Sequence, residues 1–314
     1  MPHNKIVFVL LVLYWFDAIG SSAIALPKDS LKANSSSVLD CSKFKNDYDI
    51  LQQFPFPIII NPIEQIFNQS TATMHENDTF VETIFIREEK VVPSSVFCLL
   101  KLHTLHIETT PFENGIVPDS LANLKQLRYF WVYDSAIVKI TERLEQLLDL
   151  SMLTMRNCSL SHLPKFNKLK NLWSIDISRN QFSKLEGIPA VLMVSLQDNR
   201  FTEIPTLETP EKLAYLEMSN NPLRNVQSIS SYINLKSISL RSATLTSIPS
   251  DINQLQKLQT LDLSNNKLSE IPDSLIKMPA LEMLNITNNM FTTKYIQAIE
   301  KKFKASLPNA EIIT

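Results

Sequence analysis

The feature that most constrains this chain is a repeat. The pattern L-x-x-L-x-L-x-x-N-x-L recurs along most of its length. With the first residue of each unit numbered zero, units begin at Val81, Leu102, Leu127, Leu150, Leu172, Val191, Leu213, Leu235, Leu258 and Leu281. Successive spacings are 21, 25, 23, 22, 19, 22, 22, 23 and 23 residues. Offsets 0, 3, 5 and 10 are apolar in all ten units, 40 positions of 40 in a chain that is 44% apolar overall. A period this short cannot enclose a core of its own, so the units must stack and bury one another.

The physics of one unit is local. Offsets 3 and 5 alternate with 2, 4 and 6, so each unit contributes a short strand with its aliphatic residues inward. Successive strands stack in parallel about 4.8 Å apart. Offset 8 is Asn180, Asn199, Asn221, Asn266 and Asn289 in five units, and Glu89, Thr110, Ser135, Cys158 and Ala243 in the others. An inward asparagine there can satisfy turn backbone of its own and the next unit that would otherwise be buried unpaired. The pairs Leu163-Pro164, Ile204-Pro205, Ile248-Pro249 and Ile271-Pro272 open the return limb. Proline removes a donor and favours extended geometry, so that limb is not expected to be a full α-helix.

The clearest unit runs Leu258-Gln-Thr-Leu-Asp-Leu-Ser-Asn-Asn266-Lys-Leu268, followed by Ile271-Pro272 and Leu275. It resembles the leucine-rich-repeat motif of extracellular proteins, over about residues 80–292. The chain departs from the motif in units 1 to 4, which lack the asparagine, and in unit 5, which is short at 19 residues. The resemblance implies an α/β solenoid, a curved horseshoe of about ten repeats. Its concave face would be a parallel sheet, and its convex side mostly irregular with short helices. It also implies that function sits on the concave face, and that the protein is a receptor, a co-receptor or an inhibitor of secreted enzymes.

Both ends of such a stack need lids. The expected organisation is a signal peptide over 1–25, an N-terminal cap over 26–80, the solenoid over 81–291, and a capping helix with an edge segment over 292–314. Tyr295, Ile296, Ile299 and Phe303 recur at helical spacing with lysines 301, 302 and 304 outward, and Glu311-Ile312-Ile313 follows as an edge. At the front, Phe44, Tyr48 and Leu51 share helical spacing within 41–54, and Pro55 and Pro57 end that helix. Ile58-Ile59-Ile60 reads as a strand pairing onto the first repeat, and the polar stretch 68–79 as a mobile loop.

The first residues read as an address. Lys5 precedes an unbroken apolar run from Ile6 to Phe16, and Ala23-Ile24-Ala25 supplies a small-x-small cleavage signal. Eleven helical residues reach about 16 Å, short of a hydrocarbon core of roughly 30 Å, which favours cleavage over a signal anchor. No later stretch is apolar enough for a transmembrane segment, so a secreted, extracellular glycoprotein is expected. The sequons at Asn34, Asn68, Asn77 and Asn285 are candidate glycosylation sites; Asn157, beside a buried position, is discounted. Of three cysteines, Cys158 occupies an inward ladder position, which leaves Cys41 and Cys98 to form a disulfide bond in an oxidising compartment.

Composition excludes some functions. A net charge of −2 gives no excess positive charge to neutralise phosphates, so nucleic acid is not an expected partner. Three scattered glycines, Gly20, Gly115 and Gly187, cannot build a phosphate-binding loop, and no cofactor is expected. His103 and His106 face opposite sides of a strand, so no joint metal site is expected. Asp176 and Glu217 point outward about 10 Å apart, on a surface read as solvated with no raised pKa. Ser135 near His106 is an inward ladder residue, so no catalytic residue is assigned and the chain is read as not an enzyme.

The outward positions of units 8 to 10 are small and polar. Those of the early units are not: Tyr129, Trp131 and Tyr133 fill unit 3, beside Phe85, His106, Met152 and Arg156. Large exposed aromatics with arginine are the composition of an interface hot spot. The opposing reading is that the N-terminal loop folds over them as core. The function expected is a non-enzymatic recognition module binding an extracellular protein or peptide ligand. It would be a soluble receptor subunit, ligand trap or enzyme inhibitor; the alternative is a structural matrix or cell-wall glycoprotein.

Overall fold

A computed structural model describes residues 39–62, 69–76 and 79–314. The expected signal peptide and the sequons at Asn34, Asn68 and Asn77 lie outside these described residues. The elements in chain order are α1 Asp47–Leu51, β1 Ile59–Ile60, β2 Thr71–Met74, β3 Val81–Arg87, β4 Thr104–Glu108, β5 Ile116–Val117, β6 Tyr129–Tyr133, β7 Lys139–Ile140 and β8 Met152–Arg156. Then come β9 Ser174–Asp176, β10 Met193–Ser195, β11 Tyr215–Glu217, β12 Ser237–Ser239, β13 Thr260–Asp262, β14 Met283–Asn285, α2 Thr293–Ser306 and β15 Glu311–Ile313.

Thirteen strands pair into one sheet in the order β1-β2-β3-β4-β6-β8-β9-β10-β11-β12-β13-β14-β15, and β5 pairs with β7 separately. From β3 onward the large sheet is parallel and in register, so equal offsets of neighbouring units lie side by side. Most return limbs carry a short 3-10 turn; those at Ser250–Gln254 and Asp273–Lys277 are each capped by a proline in extended geometry, and the limbs after β8 and β9 are irregular. The fold is the leucine-rich-repeat solenoid. The inward offsets form one continuous buried cluster that runs from Ile50 in the N-terminal cap to Phe303 in α2.

The ladder asparagines bond backward, not forward. Asn180 accepts from the N–H groups of Cys158 and Leu160 and donates to the carbonyls of Met155, Ile177 and Ser178. It therefore serves its own unit and the preceding one, a correction to the sequence reading of the next unit. Asn199, Asn221, Asn266 and Asn289 repeat the arrangement. In the early units single hydroxyls stand in: Ser135 accepts from Thr110 N–H at 3.1 Å, and Thr110 from Glu89 N–H at 3.0 Å.

Offset 7 of every unit is left-handed. Glu88, Thr109, Asp134, Asn157, Arg179, Asp198, Asn220, Ser242, Asn265 and Asn288 all have φ between +48° and +58°. Asparagine and aspartate tolerate this region; the others are held there by the ladder on either side.

The N-terminal cap differs from expectation in three ways. The helix is only Asp47–Leu51 and buries Ile50 and Leu51, while Tyr48 stands 40% exposed. Residues 71–74, read as mobile loop, form β2: Ala72 and Met74 alternate inward, and a period-2 pattern of four residues was hidden in a polar stretch. Ile59–Ile60 pairs with β2 rather than with the first repeat, because β2 itself occupies the edge of β3, antiparallel. Asp47 ties the cap to unit 1 by accepting from Val81 N–H at 2.7 Å, and a Cys41–Cys98 disulfide bridges the same junction. Cys158 is a buried free thiol whose burial pushes its pKa up.

At the far end, Ile299 and Phe303 of α2 are buried on the last repeat, and β15 pairs with β14. The Tyr295 hydroxyl accepts from Ile271 N–H at 2.8 Å and donates to its carbonyl at 3.2 Å. Thr292 caps the helix.

Candidate functional site

The in-register sheet fixes three rows on the concave face, at offsets 2, 4 and 6. The central row is Phe85, His106, Trp131, Thr154, Asp176, Ser195, Glu217, Ser239, Asp262 and Asn285, each the direct partner of the next. Tyr129 and Met152 are direct partners in the offset-2 row, and Tyr133 and Arg156 in the offset-6 row. The structure thus brings the sequence-selected residues Phe85, His106, Tyr129, Trp131, Tyr133, Met152 and Arg156 onto one surface. All seven are half-buried.

The aromatic rings pack on one another. The His106 ring lies edge-on to Phe85 at 4.2 Å and to Trp131 at 5.7 Å, and is tilted against Tyr133 at 5.1 Å. Tyr129 and Trp131 are 5.6 Å apart. Arg87 lies 5.3 Å over the Phe85 ring and pairs with Glu108. Burial, with Arg87 nearby, pushes His106 down to about 3, so its ring is neutral at physiological pH. Burial pushes the Tyr133 phenol up, and its hydroxyl bonds to Thr154.

Three polar atoms of this cluster are buried without a hydrogen-bond partner among the described residues: Arg87 Nε, His106 Nε2 and Trp131 Nε1. Glu108 Oε2 lies 3.9 Å from His106 Nε2, beyond hydrogen-bond reach. An indole N–H has no alternative to donating, so the buried Trp131 Nε1–H has an unmet need for an acceptor. The described residues of the N-terminal segment extend the sheet beside β3.

The central half of the face holds a feature that sequence reasoning missed. The Glu217 carboxyl, taken as solvated, is buried, and burial with Asp262 nearby pushes its pKa up to about 7. Glu217 Oε1 accepts from Ser219 N–H at 2.7 Å, and the Ser219 and Ser239 hydroxyls bond to each other at 2.7 Å. Asp176 and Asp262 do the same with Ser178 and Ser264, each at 2.9 Å. The signal was legible as D/E-x-S at offsets 4 to 6; the burial came from curvature and neighbours, which a single unit does not show.

Other candidates separate. His103 Nδ1 meets Glu82 Oε1 at 3.0 Å, away from His106. Ser135 Oγ accepts from Thr110 N–H and donates to the Tyr133 carbonyl, a ladder role. Among the described residues no group of three His, Cys, Asp or Glu side chains is placed to hold a metal. Asn285 ends the central row, with Oδ1 accepting from Thr287 N–H and Oγ1–H. Among the described residues no helix is long and apolar enough to cross a membrane.

Comparison with known proteins agrees with the fold. A family model described as leucine rich repeat matches residues 233–291. A segment of 107 residues is 35% identical to receptor-like protein 56 of Arabidopsis thaliana, covering 30% of this chain and 11% of that protein's length. Among solved structures, a leucine-rich-repeat protein of Leptospira interrogans superposes with a TM-score of 0.60 at 24% identity, over 78% of this chain and 60% of that one. The ectodomain of an Arabidopsis thaliana membrane receptor kinase, in complex with Casparian strip integrity factor 2, gives 0.53 at 20% identity, over 70% of this chain and 28% of that one.

Proposed function

This chain is a leucine-rich-repeat protein, and from that premise we propose that it is a non-catalytic recognition module that binds an extracellular protein or peptide on its concave face. The site is centred on Trp131 and framed by Phe85, His106, Tyr129, Tyr133, Met152 and Arg156. The observation that carries this reading is the unpartnered Trp131 Nε1–H and His106 Nε2 within a half-buried aromatic cluster on an open sheet. A buried donor left unpaired costs about 1–3 kcal/mol, which an acceptor on a partner recovers. The Arabidopsis relative is a receptor-like protein by name, which supports a recognition role outside the cell. The Cys41–Cys98 disulfide supports the same compartment.

The test is a paired affinity capture from extracellular fluid with the wild-type chain and its Trp131→Ala variant, after circular dichroism shows both folded. A buried aromatic anchor carries about 2 kcal/mol or more, so a true partner loses roughly thirtyfold or more in affinity. A partner held equally by both proteins, or self-association that survives the substitution, removes the aromatic site and favours a matrix role.

A further inference from the structure

The central row has an alternation that the recognition reading does not use. From β6 to β13, large functional side chains occupy every second strand, at Trp131, Asp176, Glu217 and Asp262, and small hydroxyl residues, Thr154, Ser195 and Ser239, fill the strands between. Alternate strands are about 9.6 Å apart, and one three-residue turn of polyproline II spans about 9.3 Å and returns every third side chain to the same face. The neighbouring offset-6 row holds Arg87, Glu108, Arg156 and Arg241, with Arg87 and Glu108 paired to each other. Cations are thus drawn to the carboxylates of the central row.

We propose that the concave face takes a basic peptide in the polyproline II conformation laid across the strands, with an apolar residue against Trp131 and lysine or arginine side chains at every third position on Asp176, Glu217 and Asp262. This rests on the recognition reading and names the chemistry of its partner. The orphaned Trp131 Nε1–H and His106 Nε2 mark where the ligand supplies missing hydrogen-bond partners, and a peptide carbonyl is the acceptor that the indole requires. The carboxylates are held ready: each keeps one oxygen on a backbone N–H of its own strand end, which fixes its rotamer before a cation arrives. Partial protonation of Glu217 near neutral pH makes the central contact strengthen as pH rises.

Fluorescence anisotropy on the full chain tests this. The probe is a labelled alanine- and serine-based peptide bearing one phenylalanine and then lysines at every third position, made in both chain directions. Its isomer has the same residues with lysines at every second position. The expected result is at least about tenfold tighter binding of the third-position peptide in one direction. That advantage is lost in the Asp176→Asn/Asp262→Asn variant. Asparagine preserves the backbone contact, since Asn285 already makes it in the last unit, so the variant keeps its fold. Equal binding of both isomers, no binding of either, an advantage that survives the variant, or tighter binding of a β-1,4-linked glucosamine oligomer each overturns the proposal. If a captured partner depends on Trp131 but binds the variant undiminished, the recognition reading stands and only the basic-peptide assignment falls.

Discussion

The first four units and the last six build the same sheet by different means. In β3, β4, β6 and β8 the strands are five to seven residues long and pairing runs on through Arg87, Glu108, Tyr133 and Arg156. In β9 to β14 every strand is three residues. In units 5, 7, 9 and 10 the carboxylate or amide at offset 4 takes the N–H of offset 6 out of the ladder, while Ser195 and Ser239 hold that offset in units 6 and 8. The ladder asparagine then donates to the carbonyl of the preceding unit's offset 5, such as Met155, Leu196 or Leu263. Phe85 and Trp131 carry no acceptor and His106 takes no backbone N–H, and the early strands continue through offset 6 as a wider floor on which aromatic rings lie. One half of the molecule gains order from side-chain amides, and the other from longer backbone ladders and ring packing.

That contrast can be broken at several points. The largest effect is expected at the front. Cys41 and Cys98 close a loop with a sequence separation of 57, so Cys41→Ser/Cys98→Ser should lower stability by about 4 kcal/mol in the loop-entropy model. Hydrogen exchange should localise the loss to the cap and the first units, since a solenoid is coupled only to its neighbours. Uniform loss along the chain would mean that the two halves do not fold as separable neighbours.

Asn180, at the boundary between the halves, comes next. Asn180→Leu strands the N–H groups of Cys158 and Leu160 and the carbonyl of Met155, at a cost of about 3 kcal/mol in urea unfolding. Ser135→Ala, in the hydroxyl-based half, removes one accepted bond and should cost about 1 kcal/mol. Equal losses would show that the two ladders carry equal weight.

The third effect depends on pH. Glu217 rises from the usual 4.5 to about 7 in the folded chain, so its neutral form is the one that the fold favours. Its contribution is complete below 4.5 and is lost as pH rises towards 7. The shift corresponds to about 3 kcal/mol, of which relaxation recovers part. Glu217→Gln should therefore match wild type at pH 4 and exceed it by about 2 kcal/mol at pH 8. A constant difference across that range would place Glu217 in solvent.

The aromatic surface and the carboxylates were both present in the residue pattern, but not to the same degree. Offsets 2, 4 and 6 of the early units announce Tyr129, Trp131 and Tyr133 because alternation assigns a face without knowledge of neighbours. The state of Glu217 was not legible, because its burial depends on flanking strands and on Asp262, which lies 45 residues away in the chain. The cap strand Thr71–Met74 was missed because two buried residues among threonines are too short a periodic signal.

By itself, the sequence determined the solenoid, its register and which side chains share the concave face, because each is a consequence of a short period repeated ten times. Tertiary structure alone decided how far each side chain is desolvated, which polar atoms find partners, and that the cap extends the sheet through an antiparallel strand. Those outcomes arise from atoms that are distant in the chain and meet only when the repeats stack.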